Sequence, residues 1–359
     1  MLSLGPGGTE HLVVEMCRRL RPEFDIAVCC LDEAGAWAKH LTADGIEVTA
    51  LGRGPGFRPS LGRRIADLAA RRGARLLHCH HYSPFVYGRI AKSLRPSLKL
   101  VYTEHGRLSD APPSWKRRLV NPWLARFDGP ITSVSEDLRH HLIDAWFPAE
   151  RVNVIHNGIA IGRPPSPAER HRARLLLGID DEAFVAITVA RLDPVKDFRT
   201  LLNAFAEVRR RVPHARLVIV GDGPERERIR VRAARHDLDG AVLLTGYRSD
   251  VRTLLPAADL YVNSSISEGI SVTILEAMAA ASAVVATAVG GTPEIVDGTT
   301  GVLVRPRDPQ ALAHAITTVA LDDERRAKLA AAGRRRVEAH FTIDRMVDQY
   351  ARAYRQLLG

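Results

Sequence analysis

The chain has 359 residues, 46% hydrophobic, 26% charged and 6% aromatic, which suits about two ordinary globular domains and excludes collagen, coiled coil and wholesale disorder. Its formal charge of +10 rests on 45 arginines and only six lysines, with no basic tail or single-sign block. Nucleic-acid binding is therefore not indicated, whereas an anionic ligand or an anionic membrane surface is compatible with it.

The longest small-residue apolar stretch, 277–291, is interrupted by Ser282, Thr287 and glycines and falls short of a membrane span. Four cysteines, Cys17, Cys29, Cys30 and Cys79, lack paired metal spacing and suit a reduced, cytoplasmic protein. Residues 1–8 carry neither the charged nor the apolar region of an export signal. Gly5-Pro6-Gly7-Gly8 reads as a glycine turn opening a helix over 10–20, where Leu12, Val13, Met16, Cys17 and Leu20 recur at helical spacing. In α/β proteins such a turn leaves a strand, yet only Leu2, Ser3 and Leu4 stand between it and Met1. A central first strand is expected to be missing, which would leave neighbouring ladders unpaired; a start upstream, adding about ten apolar residues, is expected.

Strand-like runs follow at 25–31, 46–51, 76–80, 98–103, 131–134 and 152–155, alternating with amphipathic segments near 61–72, 83–93, 115–127 and 136–145. That alternation implies parallel βαβ units in a doubly wound sheet over residues 1–157. Residues 158–167, rich in glycine and proline, read as a hinge. A second series over 168–343 has strands near 184–190, 216–220, 241–244, 260–263, 284–287 and 301–304, and helices near 309–321 and 323–339. A final helix, 344–358, is expected to pack back on the first domain. The fold class is α/β: two Rossmann-like parallel-sheet domains facing across a cleft, with chemistry in the loops after the strands.

Two groups of residues stand in such loops. Arg191 and Lys196 follow the 184–190 strand, with Asp193 and Pro194 reading as the cap and first residue of a helix; two cations at a helix N-terminus suit a diphosphate. Glu268 and Glu276 flank a second helix start, with the amides of Gly269, Ile270 and Ser271 between them. A carboxylate accepts paired hydrogen bonds from a vicinal diol such as a ribose, and Glu276 among Ile274, Leu275, Ala277 and Met278 needs a reason for its place.

The Arg191…Lys196 pair, the Glu268-x7-Glu276 element, the Gly290-Gly291-Thr292-Pro293-Glu294 turn and the Gly5–Glu10 opening together resemble retaining glycosyltransferases of the GT-B fold, family four. The resemblance implies that Arg191 and Lys196 neutralise a nucleotide diphosphate, that Glu276 takes the ribose, and that Glu268 with Gly269, Ile270 and Ser271 meets the donor sugar. It implies that Gly246, Tyr247 and Arg248 hold the base, that Gly7 and Gly8 let backbone approach the diphosphate or acceptor, and that His105, ending Tyr102-Thr103-Glu104-His105-Gly106, is the acceptor-side catalytic contact. His78, His80 and His81 are expected to line that side too. No metal and no cofactor are implied. The expected partners are a UDP- or GDP-linked sugar and a glycan or lipid-linked acceptor, in polysaccharide biosynthesis.

The helix near 115–127 mixes Trp115, Trp123 and Leu119 with Lys116, Arg117 and Arg118, which would suit anionic headgroups and a peripheral site at the inner membrane face. Three other readings stay open: a phosphorylase, a nucleotide-sugar epimerase, or a non-catalytic nucleotide-sugar binder. A dinucleotide oxidoreductase is not supported, since the glycine turn does not match G-x-G-x-x-G.

Overall fold

The computed structural model describes residues 1–107 and 114–359. The chain forms two compact units. The first contains Met1–Gly106, residues 114–158 and Ile343–Gly359; the second is built on Ile159–Thr342 with Arg107.

In the first unit β1 (Ala27–Cys30) pairs in parallel with β2 (Glu47–Ala50). A separate parallel sheet holds β3 (Leu76–His80), β4 (Lys99–Glu104), β5 (Ile131–Ser133) and β6 (Val152–Val154), in that order. β4 is buried from Leu100 to Glu104, as a parallel strand covered on both faces must be. Phe85 stacks on Tyr102 with centroids 4.2 Å apart, and Phe127 and Phe147 complete this core. The helix Trp115–Leu124 runs on through Pro122 for two more residues.

The single sheet expected here is thus divided. Residues 1–4 lie along β1 without forming a regular strand: the Met1 amine donates to the Cys29 carbonyl at 2.8 Å, and Leu31 N–H donates back to Met1 at 3.0 Å. Among the described residues no ladder joins β1 to β3.

The second unit has one six-stranded parallel sheet: β7 (Phe184–Val189), β8 (Ala215–Val220), β9 (Val242–Gly246), β10 (Leu260–Asn263), β11 (Ala283–Thr287) and β12 (Val302–Val304), in the order β12-β11-β10-β7-β8-β9. Its apolar central strands are buried on both faces, and Leu201, Phe205, Leu312 and Ile316 pack against one of them. The switch in strand order falls between β7 and β10, and the loops after these two strands carry the residues of interest. Among the described residues no helix is long and apolar enough to cross a membrane.

A helix not anticipated from the sequence, Pro167–Leu177, starts at the end of the expected hinge. Ser166 and Glu169 form a reciprocal capping box, and Gly178 in the left-handed region ends the helix. It places Arg174, 1% exposed, against the Asp259 carboxylate at 2.9 Å and the carbonyls of Ala257, Asp180, Asp181 and Ala183. Removing one partner of a buried ion pair strands the other, so Asp259→Ala is expected to cost about 3–5 kcal/mol in urea unfolding of the second unit. A loss under about 1 kcal/mol would show that the pair does not hold this helix.

Candidate active site

The site in the second unit rests on backbone contacts that glycines permit. After β8, Gly221 has φ +145°, and a Cβ there would fall 1.9 Å from the Ala190 carbonyl oxygen. A Cβ on Gly223 would lie 2.7 Å from the carbonyl oxygen of Leu192. The loop bearing Arg191 therefore packs on bare backbone. On the other side, Gly290 has φ +52°, and its Cβ would meet the Glu268 carbonyl oxygen at 1.8 Å. The Gly-Asp-Gly sequence following a strand was the available signal for the first two.

The helix expected to begin at Asp193 and Pro194 does not. Pro194–Lys196 is a single 3-10 turn, Asp197 enters the left-handed region at φ +46°, and the α-helix Phe198–Arg211 starts after it. Asp197 is the cap, accepting from Thr200 N–H at 3.2 Å. Asp193 instead pairs with Arg191 at 3.0 Å, and the Arg191 side chain stays 69% exposed.

Lys196 is turned inward. Ser264 Oγ donates to the Lys196 carbonyl at 2.8 Å and Ile266 N–H donates to Val195 at 2.8 Å, so the turn and the loop after β10 are fastened together. Its Nζ donates to Glu268 Oε1 at 2.7 Å, alongside Asn263 Nδ2 at 3.0 Å and Ser265 Oγ at 2.6 Å. All three bonds converge on Oε1, which leaves Oε2 for a ligand hydroxyl. Burial alone would raise the Glu268 carboxyl; the adjacent Lys196 charge and these hydrogen bonds outweigh it and hold the group below the ordinary range.

Ser271 caps the helix Val272–Ala279 by position alone, its side chain making no cap bond, and Ile270 and Ser271 are buried. Glu276 projects from this helix with its side chain 12% exposed, and Arg252 Nε lies 3.4 Å from Oε1. Here burial dominates over Arg252 and raises the carboxyl. Gly246 ends β9 at φ +72°, Tyr247 is exposed, and Arg248 makes a two-pronged pair with Asp250 at 2.7 and 2.6 Å.

In the first unit, His105 follows β4. Its Nε2 lies 2.9 Å from His80 Nδ1, and its Nδ1 is buried with no partner among the described residues. Burial first, then His81 and His78, push His105 well below the usual histidine value, so the ring is neutral at pH 7. Glu104 accepts from Tyr102 OH at 2.7 Å and the His105 N–H at 3.1 Å, and pairs with His81 Nδ1 at 3.2 Å. His78 does not join the expected acceptor surface: Tyr354 OH at 2.5 Å and Thr103 Oγ1 at 2.7 Å occupy both of its ring nitrogens, and burial pushes it down to about 3. Gly7 stands at the cap of the helix Gly8–Leu20 in extended backbone, φ −173°, which any residue adopts. A Cβ there would meet the side-chain carboxylate of Glu10.

Residues 170–336 match the family described as glycosyl transferases group 1, and residues 6–163 match glycosyltransferase family 4. EpsD of Bacillus subtilis is 30% identical over 290 residues, 77% of this chain and 76% of EpsD. The chain is a group 1 glycosyltransferase of the GT-B fold. This glycosyltransferase is also 27% identical over 310 residues to the N-acetyl-alpha-D-glucosaminyl L-malate synthase of Bacillus anthracis, covering 85% of the chain and 80% of that enzyme. Among solved structures, Anabaena HepE in complex with UDP-glucose superposes with a TM-score of 0.88 at 26% identity, over 99% of this chain and 98% of HepE.

Asn263, Ser265 and Arg252 were not singled out in the sequence: Arg252 meets Glu276 24 residues on, and Asn263 and Ser265, five and three residues before Glu268, read only as a strand end and its loop. The Glu268 pair sets a pH dependence. Its stabilisation is complete above 4.5, the ordinary carboxyl value, and is lost as pH falls through the lowered folded value. In Lys196→Met the buried carboxylate loses its cation and its value rises. The variant is therefore expected to melt several degrees below the unaltered protein at pH 7, with the gap closing toward pH 4.5 in calorimetric scans; a gap independent of pH would contradict the pairing.

Proposed function

We propose that this glycosyltransferase is a retaining, metal-independent hexosyltransferase, taking a hexose from a nucleotide diphosphate donor, UDP-linked before GDP-linked, and passing it to a hydroxyl of a glycan or lipid-linked acceptor. The observation that carries the reading is the buried Glu268 carboxylate with three donors on one oxygen and its second oxygen uncommitted, beside Lys196. The likeness to HepE, solved with UDP and with UDP-glucose at 26% identity, supports a uridine donor.

In this reading Arg191 and Lys196 balance the diphosphate charge and stabilise it as the leaving group, the role a metal serves in other transferases. Lys196 is then shared between Glu268 and a phosphate oxygen. Glu276 accepts the ribose hydroxyls, Gly246, Tyr247 and Arg248 border the base, and Glu268 with the Gly269, Ile270 and Ser271 amides orients the sugar. The acceptor oxygen bonds to the anomeric carbon on the face from which the phosphate oxygen departs, and the acceptor proton passes to that phosphate oxygen, so configuration is kept. His105, neutral and with a buried ring nitrogen unpaired, is assigned to the acceptor side.

A membrane-borne acceptor is favoured by the helix Trp115–Leu124. Trp115, Leu119 and Trp123, spaced four residues apart, are 67%, 61% and 51% exposed on it, with Lys116 and Arg117 exposed beside them. An apolar stripe rimmed by cations matches an anionic lipid surface. Sedimentation with phosphatidylglycerol vesicles is expected to capture the protein at low salt and release it at high salt, and Trp115→Ser/Trp123→Ser is expected to lower capture at least threefold. Capture that is absent, or indifferent to both, would remove the membrane from this account.

The donor reading is tested by calorimetry with UDP-glucose, UDP and GDP in EDTA. Binding is expected to persist without divalent ions and to weaken about 10- to 100-fold in Lys196→Ala and in Glu276→Ala, the loss of one charge-assisted contact each. A requirement for a divalent ion, or full affinity in both variants, would overturn it.

A further inference from the structure

The segment that leaves β9 carries more than the residues assigned to the base. Gly246, in the left-handed region at φ +72°, turns the chain off the strand, the Arg248–Asp250 pair braces the turn, and the single-turn helix Val251–Leu254 follows. Leu254, Leu255 and Ala257 are buried and seat this segment in the second unit. Arg252 is thereby set against Glu276 of the helix Val272–Ala279, 24 residues on, with Nε 3.4 Å from Oε1.

The two arginines of this segment treat their carboxylates differently. Arg248 meets both oxygens of Asp250, at 2.7 and 2.6 Å. Arg252 makes one long contact to one oxygen, and among the described residues no other donor is bonded to Glu276. A guanidinium so placed attracts the carboxylate without filling its acceptor positions, and Oε2 stays open. The Glu276 side chain is 12% exposed and that of Arg252 is 52% exposed, so the carboxylate is recessed and the cation stands at the surface beside it.

A vicinal diol donates two hydrogen bonds, and an ionised carboxylate, which only accepts, can take both. Burial works against the ionised state of Glu276, and Arg252 is the charge that opposes burial. The other groups around this helix do not take its place. Tyr261 on β10 is neutral, its hydroxyl bonded to the Val189 carbonyl and the Thr273 hydroxyl. Glu268 is matched by Lys196, and Arg334 of the helix Asp323–His340 is engaged with the Ala279 carbonyl and Glu338.

Resting on the reading that Glu276 takes the ribose, we propose that Arg252 is a positioning residue for the nucleotide: from the edge of the site it draws Glu276 by Oε1, so that the carboxylate presents Oε2 to the ribose diol. Its effect on the nucleotide passes through Glu276 and is confined to the ribose.

Calorimetry with UDP and 2′-deoxy-UDP separates this role from general support of the fold. The unaltered protein is expected to bind UDP about 10-fold more tightly than the deoxy nucleotide, the worth of one hydrogen bond to a charged group. In Arg252→Gln that preference is expected to shrink to about twofold while 2′-deoxy-UDP binding changes little, and in a Glu276→Gln background the Arg252→Gln change should add nothing. Arg252→Lys keeps a cation and is expected to retain most of the preference. The pH profile moves as well. UDP affinity falls as pH drops through the Glu276 value, which burial raises, and in Arg252→Gln, without the opposing cation, the fall is expected to set in at higher pH. An unchanged preference in Arg252→Gln, or equal weakening of both nucleotides, would overturn the proposal. So would tighter UDP binding, which would show the guanidinium standing where the ribose goes. No preference for UDP in the unaltered protein would instead remove the ribose from Glu276, and with it both this proposal and the reading beneath it.

Discussion

A carboxylate buried among apolar strands must be given a cation and hydrogen bonds or be protonated, and the site in the second unit is arranged around meeting that demand for Glu268. Lys196, Asn263 and Ser265 reach it from two successive neighbours in the sheet, at the point where the strand order reverses. For Lys196 to arrive, the chain after β7 must turn sharply, which Asp197 achieves in a left-handed conformation that it also uses to cap the next helix. For Glu268 to arrive, its own carbonyl must lie against Gly290, where no side chain fits. The ion pair and the backbone strain around it are one arrangement.

Glu276 poses the opposite solution. It stands one and a half turns into a helix whose other inward residues are apolar, with Arg252 at the limit of hydrogen-bond distance, and burial prevails. Two glutamates eight residues apart are thus shifted in opposite directions by their surroundings. Perturbed carboxyls of this kind cluster at functional sites.

Much of this was legible in the sequence because parallel sheets write themselves as apolar runs: β7 and β10 fall inside the stretches that the pattern marks, and β8 and β11 begin one residue before theirs. Glu276 was conspicuous for the same reason, a charge in apolar company. The helix Pro167–Leu177 was hidden behind prolines that read as hinge, although Ser166 and Glu169 spelled its capping box. Asp193 misled because Asp-Pro is a helix-start signal, and local propensity could not reveal that Asp197 holds the better geometry. His78 looked like a site residue and is consumed by Tyr354, a partner 276 residues away that no local pattern shows.

The central claim is transfer with retention at the anomeric carbon. The direct measurement is proton NMR of any sugar freed on incubating the enzyme with an α-linked donor such as UDP-glucose, recorded faster than mutarotation. The account predicts the α anomer as the first product. The β anomer would mean attack from the opposite face, and the roles given to Lys196, Glu268 and the departing diphosphate would then have to be abandoned.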